Sequence, residues 1–121
     1  MIFKNLTKNF YISSLIIFLI FLLDRISKIY VINSASKNST SELFSSKFLN
    51  INLIWNEGIA FGLLSFNQSD LYNILTSIIA LIIVIVFFMI VKNNNIKRYP
   101  LLMIFGGAIG NLYDRIFFKA V

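Results

Sequence analysis

The polar residues able to do chemistry in this chain fall into three clusters. The densest reads Gly106-Gly107-Ala108-Ile109-Gly110-Asn111-Leu112-Tyr113-Asp114-Arg115 and lies inside an otherwise apolar run. An amide, a carboxylate and a guanidinium at membrane depth cost on the order of 2–3 kcal/mol per charge, so a sequence that keeps them there uses them. Gly107, Asn111 and Asp114 recur at i, i+4, i+7 and form one stripe, with Arg115 beside it. Gly106 and Gly110 make a G-x-x-x-G pair on the adjacent face, which suits close helix packing. In the second cluster, Asp24-Arg25-Ile26-Ser27-Lys28, Asp24 and Lys28 are four apart and can pair on one helix face. The third, Asn56-Glu57-Gly58, is a turn signal between two short apolar stretches.

Composition narrows what these clusters can do. The chain has no cysteine and no histidine, which removes thiol nucleophiles, disulfides, Ser-His and Cys-His hydrolysis and His-ligated metals. Carboxylates, hydroxyls and lysine remain. No metal or other cofactor is expected. Of the 121 residues 58% are hydrophobic and 13% charged, with a mean hydropathy of +0.81. A soluble domain is about one quarter charged, so the composition predicts an integral membrane protein. The net charge of +6 is spread beside apolar segments rather than gathered in one patch, which argues for membrane topology and against nucleic acid.

The elements that must position the clusters follow from the apolar runs. The expected fold is an all-α membrane bundle in a single domain, 1–121, with a small external β-sheet between helices one and two. Spans are predicted at 10–32, 71–91 and 99–118, each near the roughly 20 residues a bilayer requires. Residues 33–70 form an external polar segment, and 92–98 a short loop holding Lys92, Lys97 and Arg98. Lys4 and Lys8 precede the first span, whereas 33–70 holds two cations against Glu42, Glu57 and Asp70. The positive-inside rule therefore puts the N-terminus and the short loop in the cytoplasm. No small-x-small cleavage site follows the first run, and Asp24, Arg25 and Lys28 interrupt it, so it reads as an uncleaved anchor. Asp24 and Asp114 both lie roughly 21 Å from the cytoplasmic end of their helices, at matching depth. In 48–56 the apolar residues Leu49, Ile51, Leu53 and Trp55 alternate with neighbours that are mostly asparagine, predicting an amphipathic strand. A second stretch, 59–66, completes a small sheet that could roof the polar ends of helices one and three.

In order and spacing the three clusters resemble the lipoprotein signal peptidases. Asp24 to Lys28 is similar to that family's Asp-x-x-(Ser/Thr)-Lys motif, and 56–62 to its Asn-x-Gly-x-Ala-(Phe/Trp)-Gly motif. Gly106 to Arg115 is similar to Gly-Gly-Ala-x-Gly-Asn-x-x-Asp-Arg, the most specific of the three. The resemblance covers the chain from about residue 10. It implies a bacterial plasma-membrane aspartyl endopeptidase that removes signal peptides from diacylglyceryl-modified prolipoproteins, with that substrate and membrane lipids as partners.

By the same resemblance, Asp24 and Lys28 brace helix one, and Asn111, Asp114 and Arg115 support the substrate or the catalytic pair. Asn56, Gly58, Ala60 and Gly62 hold the lipid-bearing cysteine near the surface sheet. The family's two catalytic aspartates lie in Val-x-Asp-Phe and Asn-x-Ala-Asp motifs. Their expected places fall beyond Val121, together with a fourth helix. The resemblance thus implies a C-terminally truncated member with no catalytic residue of its own and no cleavage activity. The alternative from a different class is a non-catalytic transporter subunit or assembly factor whose intramembrane Asp-Lys pair is structural.

Overall fold

The structure, a computed structural model, describes residues 2–56 and 69–121. Three helices carry the chain: α1 (Ile2–Asn38), α2 (Ser69–Lys92) and α3 (Arg98–Phe117). Between α1 and α2 lie two short strands, β1 (Glu42–Ser45) and β2 (Asn50–Asn52). Helix α3 is the centre of the bundle. It packs on α1 along one side and on α2 along the other, while α1 and α2 make no contact with each other among the described residues.

The helix directions follow from the contacts. On α1, Ile20 lies against Gly106 and Asp24 against Gly110, so α1 and α3 run parallel. Tyr72 reaches Arg115 and Phe87 reaches Phe105, so α2 and α3 are antiparallel. Each pair meets along a stripe of helical period. On α2 the buried residues are Tyr72, Leu75, Ile83 and Ile90, and on α3 they include Leu102, Gly106 and Gly110. Glycine is required at two of these positions. A Cβ on Gly106 would lie 2.9 Å from the Ile20 Cβ, and one on Gly110 would lie 2.8 Å from the Asp24 Cγ. The G-x-x-x-G pair is thus the seat of α1.

Helix α1 is longer than the expected span at both ends. No glycine or proline occurs between 33 and 38 to stop it, so it runs on to Asn38. Ser39 ends it at φ 51°, with Ser39 N–H donating to the Ser36 carbonyl (3.4 Å) and Thr40 N–H to that of Ala35 (3.3 Å). This is the Schellman pattern, with serine in the left-handed position glycine usually takes.

The sheet differs from expectation. The alternation over 48–56 yields strand only at Asn50–Asn52, and its partner precedes it: β1 and β2 are antiparallel, pairing Phe44 with Ile51 and Ser45 with Asn50. A turn over Ser46–Leu49, closed by Ser46 N–H on the Leu49 carbonyl (2.8 Å), makes that local hairpin the shorter closure. The stretch 59–66, expected as the partner, lies outside the described residues.

Among the described residues, one helix, α2, is long and apolar enough to cross a membrane by composition alone, with a mean hydropathy of 3.3 over its most apolar stretch. The expected count of three spans is not reproduced by that test among the described residues.

Candidate functional site

The cluster forms where the parallel helices α1 and α3 face each other, one turn beyond Gly110. Position 24 faces 110 and Lys28 faces Asp114. The expectation of level aspartates is therefore off by one helical turn, about 6 Å. The aspartates still share a partner, because long cationic side chains span that turn.

Arg25 is the hub. Its Nη1 and Nη2 donate to the two Asp114 oxygens at 2.5 and 2.8 Å, a bidentate fork across the helix interface. The same guanidinium donates to Asp24 Oδ2 from Nη2 (2.6 Å) and Nε (3.2 Å), and Nη2 also reaches the Gly110 carbonyl (3.2 Å). Its flat faces lie near the rings of Phe21 and Tyr113, with the Tyr113 centroid at 4.9 Å. Lys28 Nζ completes the cluster with donations to Asp114 Oδ2 (2.5 Å) and Asn111 Oδ1 (2.9 Å), and an ion pair to Asp24 Oδ1 (3.0 Å). Two carboxylates and two cations balance. The Asp114 side chain is 6% exposed and that of Lys28 is 28% exposed, so the cluster runs from a closed core to an open edge.

At that edge is a cavity of about 320 Å³. Arg25, Lys28 and Asp114 form its polar base, and Trp55, Tyr113 and Phe118 are among its mainly apolar walls. Residues 52–55 close one side and 120–121 another. Asn56 anchors this arrangement through its backbone: its N–H donates to the Val121 carbonyl (2.8 Å) and its carbonyl accepts from Val121 N–H (2.9 Å).

Of the residues singled out from sequence, Asp24, Lys28, Asn111 and Asp114 come together here. Asn56 sits beside the cavity through the Val121 pairing. Gly58, Ala60 and Gly62 lie outside the described residues. Gly107 lies on the same helical face as Asn111 and Asp114, but a Cβ there would meet no other element within 4 Å among the described residues.

Arg115 departs most from expectation. It is 4% exposed and turned toward α2, its guanidinium carbon 5.5 Å from the Tyr72 ring centroid. The Tyr72 hydroxyl donates to the Arg115 carbonyl at 3.3 Å. One step along a helix rotates a side chain by about 100°, so Arg115 cannot share the face of Asp114. Its Nη1 is buried without a hydrogen-bond partner among the described residues.

Arg25 and its aromatic shelf were missed. The signal was a charge count: two carboxylates in one interface need two cations, and Arg25 follows Phe21 at i+4 on α1.

Residues 16–121 match the family model described as signal peptidase (SPase) II. A lipoprotein signal peptidase of Pelagibacter ubique is 47% identical over 114 residues, covering 94% of this chain and 69% of that protein. Lipoprotein signal peptidases of Anaplasma marginale and Aquifex aeolicus are 34% and 39% identical, over 87% and 84% of this chain. The chain spans 61% and 60% of the lengths of those two relatives. No solved structure matches it. Three motifs, their order along the chain and a match over most of its length lead to one conclusion: this chain belongs to the signal peptidase II family.

Proposed function

We propose that residues 1–121 are the membrane-embedded positioning part of an aspartyl endopeptidase that cleaves signal peptides from diacylglyceryl-modified prolipoproteins. The observation that carries this reading is the convergence of Asn111 and Asp114 on Lys28, beside a cavity that Lys28 and Asp114 line. Hydrolysis by this route uses two carboxylates sharing a proton. One takes a proton from the attacking water, and the other delivers one to the carbonyl oxygen and then to the leaving amine. The pair is assigned to the part of the relatives' length that residues 1–121 do not span.

Asp24 and Asp114 are poor candidates for that pair, because their oxygens are already occupied by Arg25 and Lys28. Their work is to hold α1 against α3. Asn111 is exposed, and with its Oδ1 held by Lys28 its amide N–H groups can donate to a substrate carbonyl. Arg115, stacked on Tyr72, offers its Nη1 to a carboxylate arriving from beyond these residues. Asn56, Gly58, Ala60 and Gly62 hold the modified cysteine, whose acyl chains lie in the bilayer beside the apolar walls of the cavity. The spans run with the N-terminus in the cytoplasm, so the cavity opens on the outer face of a bacterial plasma membrane. A cysteine at Ser39 is then labelled by an impermeant thiol reagent in intact cells while one at Asn94 is not; reversed labelling inverts the topology.

The activity test uses purified residues 1–121 and a chimera extended by the matching downstream segment of a full-length relative, each given a lipid-modified prolipoprotein. The 121 residues alone release no signal peptide, and the chimera does. In the chimera, Asn111→Ala lowers kcat by roughly a hundredfold, the scale of losing one well-placed donor. Release by residues 1–121 would reassign the catalytic carboxylates.

A further inference from the structure

The opposite end of the bundle holds a second polar cavity that the peptidase reading does not use. It has a volume of about 270 Å³ and is lined by Asn9 and Ser13 of α1, Asn94 and Asn95 of the connecting loop, and Arg98 and Tyr99 of α3. Ser13 is buried, and its hydroxyl is satisfied within α1 by donating to the Asn9 carbonyl one turn back at 2.7 Å. Asn95 Oδ1 accepts the Lys97 N–H at 3.3 Å, so its amide is oriented by the loop backbone. The Nε of Arg98 is buried with no hydrogen-bond partner among the described residues. A guanidinium N–H left dry and unpaired is costly unless something polar meets it.

Charge says what that something is. All 5 acidic residues of the chain lie at positions 24, 42, 57, 70 and 114, so no carboxylate occurs in 1–23 or 71–113. Lys4, Lys8, Lys92, Lys97 and Arg98 all belong to those stretches. The outer cluster balances its charges internally, whereas this end has cations without a counter-ion from the chain. Beside the cavity, Ile96 is 80% exposed and Tyr99 49% exposed. An apolar and an amphipathic side chain flanking a basic cavity suit the boundary between headgroups and acyl chains.

We propose that this cavity binds the phosphodiester headgroup of an anionic phospholipid of the cytoplasmic leaflet, with Arg98 as its main donor and the asparagine amides as supporting ones. Guanidinium matches phosphate geometry through paired N–H donors, which an ammonium does not. The proposal rests on the membrane reading above. The lipid rather than free phosphate is the occupant because Ile96 and Tyr99 give acyl chains a place beside the polar cavity.

The test is native mass spectrometry of the 121-residue chain released from detergent micelles doped with equal phosphatidylglycerol and phosphatidylcholine of the same acyl composition. Phosphatidylglycerol is retained over phosphatidylcholine by about fivefold or more, the scale of one basic residue at an anionic surface. Arg98→Gln and Arg98→Lys both reduce that preference, while Lys92→Gln, outside the cavity lining, reduces it less. Far-UV circular dichroism confirms that each variant remains helical. Equal retention of the two lipids by the unaltered chain overturns the proposal, whatever the variants do. Arg98→Lys behaving as the unaltered chain would show general charge attraction and no built site. Displacement of the lipid by millimolar inorganic phosphate would make free phosphate the ligand. Failure of the chain to enter liposomes at all would count against the membrane reading instead.

Discussion

Helix α2 and the α1–α3 pair solve the same problem in opposite ways. Between Asp70 and Lys92 helix α2 carries no charge, and most of its large apolar side chains are exposed, Leu81 at 60% and Phe88 at 59% among them. Such a surface suits an apolar environment, and it needs little from the rest of the protein. Helices α1 and α3 interrupt their apolar runs with two carboxylates, two cations and a pair of close-packed glycines. For them the partner helix replaces solvent: Arg25 and Lys28 satisfy Asp114, and Gly106 and Gly110 let the backbones approach. Hydropathy therefore marks the helix with the least chemistry, and the helices that carry the cluster depend on each other.

That dependence sets the largest expected effect. Asp114→Ala leaves Arg25 and Lys28 to share the single carboxylate of Asp24 in a nearly closed site, and breaking a buried pair by removing one partner costs about 3–5 kcal/mol. Arg25→Gln follows, since it removes the fork to Asp114 and the bonds to Asp24 and Gly110 together. Lys28→Gln costs less, because its side chain is twice as exposed as that of Arg25, 28% against 14%. Reversible unfolding in mixed micelles gives the ranking. A loss below about 1 kcal/mol for Asp114→Ala would mean that water or lipid headgroups already share the cluster. On α2, by contrast, Ile82→Ala or Ile85→Ala should shift the same midpoint little, as both side chains are about half exposed.

The sequence made one part of this plain and hid another for physical reasons. The apolar runs located three helices, and the i, i+4 and i, i+7 spacings brought Asp24, Lys28, Asn111 and Asp114 to one interface, because helical period is a local property. Arg25 was hidden because its role depends on reach. It lies about 100° round the helix from Asp24, yet its side chain spans the turn that separates Asp24 from Asp114. Arg115 was set beside the Asn111–Asp114 stripe and grouped with it in one site, but the turn of about 100° per residue carries its side chain to the α2 side. The strand register was obscured by the turn at 46–49, since alternation marks a pleated segment and leaves its partner open.

The smallest effects separate glycines that sequence alone cannot rank. Gly107 and Gly110 lie three apart in one helix, and both belong to the motif. At Gly110 an added methyl would meet the Asp24 carboxylate, which Arg25 and Lys28 hold in place and which therefore cannot swing aside. Gly110→Ala is expected to cost about 1–3 kcal/mol, the usual range for overpacking. At Gly107 the added methyl would meet no other element within 4 Å among the described residues, so the remaining consequence is helix propensity. Alanine exceeds glycine there by roughly 1 kcal/mol, so Gly107→Ala should leave stability unchanged or raise it slightly. The two variants, melted side by side, should separate, with Gly110→Ala losing stability and Gly107→Ala losing none. A loss at Gly107 as large as that at Gly110 would show that something packs on this face of α3 in the folded protein, and α3 would then have three partners instead of two.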